Sequence, residues 1–190
     1  MKKYTIIYCC FLVLFLTSCK KTEKYYDVIG RLTSEIEMKK GEAHGLAKFY
    51  FNDGINVHQI SNYKNGKLEG ATTRWYYSGH KEAEEFYLNN LLHGTKRQWD
   101  SNGNLIIEEE YSNGELNGIS KKWYSNGQIQ IDAFYVAGMP HGNWKYYNEY
   151  GVEVGYAEFE HGKGKQTSLN PNGTIDKVFR FEGGMRIDED

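Results

Sequence analysis

The fold is decided by the stretch Tyr111-Ser-Asn-Gly114-Glu-Leu-Asn-Gly118-Ile-Ser-Lys-Lys-Trp123-Tyr-Ser-Asn-Gly127, because its pattern recurs along most of the chain. In this stretch the second glycine follows the first by four residues, and the third follows by nine more. Units of the same form start at positions 41, 66, 90, 114, 138 and 162, a period of 24 residues with one step of 25. A fixed period in this range is typical of repeat proteins, so the chain is predicted to stack copies of one small unit.

Each unit is predicted to contain two short strands and two tight turns. Asn-Gly between alternating apolar and polar residues is the strongest short signal for a β-hairpin, and glycines every few residues disfavour a helix. The spacing that separates Gly79 from Asn90 recurs from Gly30 to Gly41 at one end and from Gly162 to Gly173 at the other. We therefore expect about thirteen strands between Arg31 and Phe181 in an all-β fold: an elongated, single-layer antiparallel sheet of repeated β-hairpins, with about 24 residues per repeat.

Two irregular units refine this prediction. Asn90 stands where the other five unit starts have glycine, and asparagine tolerates a positive φ best after glycine. A left-handed backbone is therefore predicted at this position, and Asn90→Gly is expected to be neutral or slightly stabilising. The hairpin between Gly162 and Gly173 is two residues shorter than the others and is predicted to lack the middle glycine.

Aromatic residues occupy two fixed positions in each unit. One column lies five residues after the second glycine, and the other lies three residues before the first glycine. Regular aromatic columns on a thin sheet either form its core or line an open groove for a ligand. The candidate binding face comprises Tyr50, Trp75, Trp99, Trp123 and Tyr147 from the first column and Tyr87, Tyr111 and Tyr135 from the second.

Strand alternation predicts one apolar and one charged side of the sheet. Ile107 and Ile131 share the parity of the tyrosine column, whereas Glu84 and Glu108 have the opposite parity. Basic residues that share the parity of the tryptophan column could flank an acidic ligand or simply keep the groove hydrated; they are Lys48, Arg97, Lys121 and Lys145.

The residues predict no catalytic, metal or cofactor site. His44, His93 and His141 each precede a second glycine, but they fall four strands apart, roughly 19 Å, which is too far to share one ion. A role in the turns is predicted for them instead. The acidic run 108–110 suggests glycoside chemistry at first sight, but its middle carboxylate points away from its neighbours in a strand and no deep pocket is predicted to raise its pKa.

The first residues indicate export and lipidation. Lys2 and Lys3 precede an apolar stretch over residues 4–16, which is too short for a transmembrane helix and is typical of a signal peptide. The following Leu16-Thr17-Ser18-Cys19 looks like a bacterial lipobox, in which Cys19 is lipidated and becomes the new N-terminus. An ordinary cleaved signal or an uncleaved anchor is the alternative. The predicted divisions are 1–18 signal peptide, 19–29 lipidated Cys and flexible tether, and 30–190 repeat domain.

The repeated pattern Tyr-x-Asn-Gly-x-x-x-Gly-x-x-x-x-Trp-Tyr-x-x-Gly resembles the MORN repeat, in the variant form found in bacterial proteins, some of which are described as antitoxins. The resemblance covers about Gly30 to Gly184. It implies membrane association, protein scaffolding or dimerisation, and the antitoxin description implies neutralisation of a protein partner. This chain differs from a cytoplasmic antitoxin in its lipoprotein leader.

Together these features predict a non-enzymatic envelope lipoprotein that binds a protein partner as a scaffold or an immunity-like or antitoxin-like neutraliser. The alternative is an envelope module that binds a glycan or lipid through the aromatic face. The membrane is contacted through the lipid on Cys19, and Lys20 after that cysteine favours the outer membrane by analogy with enterobacterial sorting. A formal net charge of −2 at pH 7 argues against nucleic acid.

Replacing Cys19 tests the lipidation hypothesis. Cys19→Ala removes the thiol that would carry the lipid, so we expect the protein to leave the membrane fraction, as measured by fractionation and by mass spectrometry of the N-terminus. Persistent membrane association of the variant would show that the lipobox interpretation is wrong.

Overall fold

A computed structural model describes residues 21–187 as one antiparallel β-sheet. The strands follow one another along the chain, and nearly all are six to nine residues long. Their bounds are β1 (Lys21–Tyr26), β2 (Leu32–Lys39), β3 (Glu42–Tyr50), β4 (Val57–Lys64), β5 (Lys67–Trp75), β6 (Lys81–Leu88), β7 (Leu91–Leu92), β8 (Gly94–Trp99), β9 (Leu105–Ser112), β10 (Glu115–Trp123), β11 (Ile129–Val136), β12 (Met139–Tyr147), β13 (Glu153–Glu160), β14 (Lys163–Leu169), β15 (Ile175–Glu182) and β16 (Met185–Arg186).

The order of strands in the sheet confirms the predicted repeat of hairpins. Each strand pairs with the next in sequence, and the short β7 pairs with β6 beside β8. The thirteen expected strands are β2 to β15, with β7 and β8 as two parts of one interrupted strand. Within residues 21–187 no helix is long and apolar enough to cross a bilayer.

One expectation for the start of the chain is wrong. Residues 21–26, which we assigned to a flexible tether, form β1 and pair with β2 from Lys21↔Met38 to Tyr26↔Leu32. The backbone of β1 pairs with that of β2, although the side chains of β1 are mostly exposed and give no burial pattern that would predict a strand. Residues 1–20 and 188–190 lie outside the described part of the chain, so the proposed cleavage site and Cys19 are not described.

The tight turns at the first glycine have two successive residues in the left-handed region. Asn113 and Gly114 have φ of 51° and 89°, and Asn89 and Asn90 have φ of 52° and 71°. Two positive φ values in a two-residue loop define the type I′ turn, which matches the twist of the flanking strands. The left-handed conformation predicted for Asn90 is confirmed.

A ladder of backbone hydrogen bonds joins the type I′ turns of successive units. The N–H of Gly114 donates to the carbonyl of Leu92, and that of Gly138 donates to Leu116, each at 2.8 Å. Equivalent bonds link the other turns, so each unit fixes the turn of the next. Because a lone hairpin is only marginally stable in water, this coupling between neighbours is what a repeat sheet needs.

The second glycine accommodates a bulge in the strand that carries it. In β10 the pairing with β9 shifts between Leu116 and Ser120, and Gly118 between them has a φ of 130°. The short unit near the end lacks this shift, because β13 and β14 pair without irregularity. The prediction that this unit has no middle glycine is wrong, since Gly164 takes that place in an extended conformation, opposite Phe181.

Every second glycine lies directly opposite an aromatic residue of the following strand. Gly118 pairs with Tyr135 and Gly142 pairs with Phe159. A facing glycine has no side chain to displace the ring, so the ring can lie over the backbone of the sheet. We call the side of the sheet that carries this row the tyrosine face, and its row comprises Tyr63, Tyr87, Tyr111, Tyr135, Phe159 and Phe181.

Burial is confined almost entirely to the tyrosine face. Among residues 21–187, every buried side chain apart from Thr167 belongs to it by register. A row of small or polar residues, joined by Trp144 in β12, runs beside the aromatic row, and its alanines are at most 3 % exposed. Small side chains between larger ones let a single layer shield its own face. The row includes Ala47, Ser61, Thr72, Glu85, Glu109, Ser120, Ala133, Trp144 and Ala157.

Towards the C-terminal end the tyrosine face becomes an aromatic cluster. The Trp144 ring lies 5.0 Å from Tyr135 and 4.9 Å from Phe159, and Phe159 meets Phe181 edge-to-face at 5.5 Å, all measured between ring centroids. The indole N–H of Trp144 donates to the carbonyl of Phe134 at 3.0 Å. Such tilted contacts are the favourable geometry for aromatic rings, and the polar end of the buried indole is satisfied.

In the middle of the sheet, the same face contains two buried carboxylates. Glu85 is bound by both terminal nitrogens of Arg74, at 3.1 and 3.2 Å, and by the Tyr87 hydroxyl at 2.9 Å. One unit later, Glu109 accepts a hydrogen bond from the Tyr111 hydroxyl at 2.9 Å and pairs with a lysine. Burying a carboxylate is tolerable only with such partners. The tyrosine face is therefore not uniformly apolar, contrary to the sequence prediction.

The tyrosines in these pairs resist ionisation. Burial first, and then the hydrogen bond to Glu85, raise the pKa of Tyr87 to about 12. The same two causes, with Glu109 as acceptor, raise the pKa of Tyr111. A phenolate on the tyrosine face would lose its donated hydrogen bond and stand beside a carboxylate.

Substitutions of Asn90 test the turn. Its side-chain oxygen accepts the Leu68 N–H at 2.6 Å, which revises our expectation of a neutral Asn90→Gly. Glycine removes this bond, so we expect a loss of about 0.5–1.5 kcal/mol in the free energy of unfolding. Asn90→Ala should cost about 1–2 kcal/mol more because alanine disfavours a positive φ. Urea titrations that rank alanine equal to glycine would contradict the left-handed assignment.

The raised pKa of Tyr87 predicts a loss of stability at high pH. Below a pH of about 10, the pKa of an unfolded tyrosine, the Tyr87 hydroxyl is protonated in both the folded and the unfolded state. Its contribution to the free energy of unfolding is therefore intact there, and it is lost as the pH rises to about 12. Tyr87→Phe should make this decline of the unfolding free energy shallower. Tyr77→Phe is the matched control, because Tyr77 is 67 % exposed. Equal slopes for wild type and Tyr87→Phe would contradict the prediction.

Candidate binding surface

The two aromatic columns that the sequence combined into one candidate face lie on opposite sides of the sheet. Trp123 follows Lys121 by two residues, and Lys121 pairs with Asp132 on the side away from the tyrosine face. Tyr50 shows the same side directly, since its hydroxyl donates to Glu35 at 2.9 Å and Glu35 pairs with Lys48. The prediction of one shared face is wrong, because the register between strands, which parity within a single strand does not give, sets the two columns on opposite sides. We call the second side the tryptophan face, with the row Tyr50, Trp75, Trp99, Trp123 and Tyr147.

The tyrosine half of the predicted binding face takes part in the packing of the sheet. Tyr87 and Tyr111 bind buried carboxylates, and Tyr135 packs on Trp144. Their rings therefore act within the core described above. The tryptophan face holds the remaining candidates.

The three tryptophans of the tryptophan face differ from Trp144. They are only partly buried, whereas Trp144 is 9 % exposed. In the part of the chain that the structure describes, the indole N–H groups of Trp75, Trp99 and Trp123 have no protein acceptor, whereas the Trp144 indole binds two carbonyls. Partly exposed indoles with an unused donor are suited to a partner that offers apolar surface and hydrogen-bond acceptors.

Other apolar side chains extend the tryptophan face. Phe86 and Phe134, each next to a tyrosine of the opposite face, are 38 % and 41 % exposed. Leu46 and Tyr156 are each 42 % exposed on the same side. The sequence prediction did not include these residues. Because Phe86 and Phe134 each directly precede a tyrosine in a strand, side-chain alternation places them on the face opposite that tyrosine. The exposed large apolar residues within β3 to β13 thus collect on one face, as is typical of an interaction surface.

Charge pairs lie between the aromatic rows of the tryptophan face. Arg97 binds Glu108 at 2.6 Å, and Lys121 lies 3.4 Å from Asp132. The ammonium of Lys81 lies 5.5 Å from the centroid of the Trp99 ring, within the range of a cation–π contact. Exposed pairs of this kind contribute little to stability. They give the surface a mixed charge pattern that can select a partner.

A cleft opens at the loop end of this surface, beside the longer unit that starts at Gly41. Phe51 and Tyr77 meet edge-to-face at 5.1 Å between centroids, with an interplanar angle of 72°. On one side of this pair is a cavity of about 230 Å³ lined by Ile60 and Trp75, and on the other is one of about 610 Å³ lined by His58 and Asp53.

The histidines that precede the second glycines cap the turns of the next unit. Nδ1 of His93 accepts the Asn113 N–H at 3.5 Å, and Nδ1 of His141 accepts the His161 N–H at 3.3 Å. His44 lies in the same way against the following turn. Within residues 21–187 no group of three potential ligands is close enough to hold a metal ion.

The acidic run 108–110 is divided between the two faces. Glu109 pairs with Lys96 on the tyrosine face, and Glu108 binds Arg97 on the tryptophan face. The Glu110 carboxylate accepts the Ile119 N–H at 3.2 Å beside the bulge. Each carboxylate is held by a structural partner, and the three do not converge on one site.

Comparison with known proteins supports the repeat seen in the structure. The family model described as MORN repeat variant matches residues 92–113 and 116–137. The two matches are one repeat period apart, and each covers one hairpin from its second-glycine strand to the next tight turn. No curated protein matches the chain. MORN repeats typically serve as protein-binding or membrane-binding scaffolds and are generally non-enzymatic. Two segments of this chain are thus similar to the MORN repeat variant, within a longer sheet built on the same period.

Proposed function

We propose that this protein is a non-enzymatic lipoprotein of the bacterial envelope, and that it binds a protein partner through the tryptophan face. The proposal rests on the difference in burial between the two faces. The tyrosine face contains nearly all the buried residues, whereas the tryptophan face leaves three indoles partly exposed and several further large apolar side chains exposed, among them Phe86 and Phe134. Such exposure in a repeat sheet supports a continuous interaction surface.

The composition of the tryptophan face fits a protein partner. Tryptophan, tyrosine and arginine are the residues that most often dominate binding energy at protein interfaces. Trp75, Trp99 and Trp123 occupy alternate strands, so neighbouring indoles stand roughly 10 Å apart. Arg97 and Lys121 lie among them. The row thus offers several anchors with charged groups between them.

The position of β1 supports a particular orientation on the membrane. Cys19 precedes Lys21, the first residue of β1, by two residues, which span at most about 7 Å. A lipid on that cysteine would hold the edge of the type I′ turns close to the bilayer, with the loops and the cleft away from it. The turn positions nearest this corner are rich in lysine, which favours contact with anionic head groups: Lys39, Lys40, Lys64 and Lys67.

The more specific roles are part of this proposal. A scaffold would hold its partner at the envelope, and an immunity-like or antitoxin-like protein would block its partner's action. Lipidation and the lysine after Cys19 support the outer membrane as the location. A second candidate is a glycan-binding or lipid-binding module, supported by the unused indole donors, which can bond to hydroxyl or phosphate oxygens.

Capture from the envelope tests the proposal. The tagged, lipidated protein is crosslinked in its own envelope, and bound molecules are identified by mass spectrometry and by glycan and lipid assays. We expect one dominant protein, with recovery reduced roughly tenfold or more by Trp99→Ala or Trp123→Ala, because interface anchors typically contribute about 2 kcal/mol or more. The matched control is Tyr150→Ala, in a loop at the edge of the sheet and 80 % exposed.

The outcomes separate the candidates. A partner whose recovery is unchanged by the tryptophan variants would contradict binding through the tryptophan face. Recovery of a glycan or lipid without a protein would replace the first candidate by the second. Each variant is first compared with wild type by urea titration, so that loss of binding is not confused with loss of fold.

A further inference from the structure

The cleft beside Phe51 arises where the repeat gains one residue. In an ordinary unit the loop closes with Tyr76 N–H donating to the carbonyl of His80. In the longer unit, Phe51 N–H instead reaches the carbonyl of Asn56, one position further. The extra residue widens this loop and leaves Ile55 at its tip 77 % exposed.

Two aromatic rings form the walls of the cleft. Phe51 and Tyr77 stand nearly perpendicular, at 72°, and the His58 ring lies 5.4 Å from Phe51 between centroids. Tyr77 keeps 67 % of its surface exposed. Its ring face is therefore accessible from solvent, in a corner that a planar group can enter.

Asp53 places a fixed negative charge in this corner. Its Oδ1 accepts the N–H groups of Ile55 and Asn56 at 2.9 and 3.0 Å, and its Oδ2 accepts the Tyr77 hydroxyl at 3.1 Å. Hydrogen bonds, of which that from the Ile55 N–H has the largest effect, lower the pKa of Asp53 to about 2. All of these donors are neutral, so they orient the carboxylate without cancelling its charge.

The charge of Asp53 is not required to form the loop. Asn126 and Asn172 occupy the equivalent position, two residues after the start of their loops, and cap the N–H two residues later with Oδ1, as Asp53 does. An asparagine would therefore serve the backbone equally well. The negative charge of the Asp53 carboxylate is therefore not needed for the loop to adopt its conformation.

The surroundings of the cleft attract a cation. The loops opposite the type I′ turns, each closed by the same kind of N–H to carbonyl bond, span residues 27–31, 51–56, 76–80, 100–104, 124–128, 148–152 and 170–174. Their single arginine, Arg31, pairs with Asp27 at 2.7 Å, and these loops contain no lysine. The remaining loop carboxylates are those of Asp53, Asp100 and Glu149. Like charges along one edge raise the local concentration of an oppositely charged ligand.

We infer that the corner formed by Phe51, Tyr77 and Asp53 binds an arginine side chain of the protein partner. A guanidinium is planar and weakly hydrated, so it stacks on aromatic rings more readily than an ammonium does. Because the Asp53 oxygens are already occupied by donors, the guanidinium is held by the ring faces and the neighbouring charge. This inference rests on the proposed function, and it names the chemistry of the partner at one point of the surface.

Peptide binding tests this inference without the partner. The full-length protein is titrated with acetyl-Gly-Arg-Gly-amide and with the same peptide containing citrulline, a neutral analogue of arginine, while the ring resonances of Phe51 and Tyr77 are followed by NMR. We expect saturable shifts with the arginine peptide and at least threefold weaker binding of the citrulline peptide. Asp53→Asn should weaken arginine binding by a similar factor. Asp100→Asn is the matched control, because Asp100 caps an ordinary loop without a cleft.

Three results would overturn the inference: no shift with the arginine peptide, equal binding of both peptides, or equal weakening by Asp53→Asn and Asp100→Asn. The last result would mean that only the general charge of the edge matters. Tyr77→Ala provides a second variant, which should abolish the shifts of Phe51. Partner capture that fails while the arginine peptide binds would refute the proposed function alone.

Discussion

A single layer of strands must bury one face without a second layer to cover it, and this constraint shapes the whole molecule. The solution is a glycine facing an aromatic ring in each unit, as Gly118 faces Tyr135. The ring lies over the backbone, and small residues such as Ala133 and Ser120 fill the row beside it. Each glycine and its ring lie on the two strands of one unit, and the turn of the next unit is bonded to that unit, as the Gly138 N–H is to the Leu116 carbonyl. Stability therefore depends on neighbours, which is the physical meaning of the repeat period.

The same constraint leaves the other side available for binding. Bulges and tight turns place Trp75, Trp99 and Trp123 on the face opposite the tyrosines, where they stay partly exposed. Trp144 is the informative exception: it stands two residues after Gly142, on the tyrosine face, and is buried there. One residue type thus has two roles, set by its position relative to the second glycine. The cleft at Phe51 shows how one inserted residue can add a local feature without disturbing the sheet.

Much of the fold follows from the sequence because the decisive signals are local. Asn-Gly turns, the left-handed Asn90 and the strand count depend on neighbouring residues only. The buried carboxylates could not be foreseen, because Glu85 is stabilised by Arg74 from the adjacent strand at a diagonal position. The strand β1 was missed because a polar segment pairs with an edge that only the folded sheet creates. The cleft depends on a contact between two loops, Tyr77 with Asp53, which no periodic pattern predicts.

The most direct test of this account is the accessibility of each tryptophan in turn. Four variants, each retaining one tryptophan and replacing the other three with phenylalanine, would be compared by emission wavelength and by acrylamide quenching. The account predicts blue-shifted and protected emission from Trp144, and several-fold stronger quenching of Trp75, Trp99 and Trp123. Equal protection of all four would contradict the central claim, because the tryptophan face would then be covered as well.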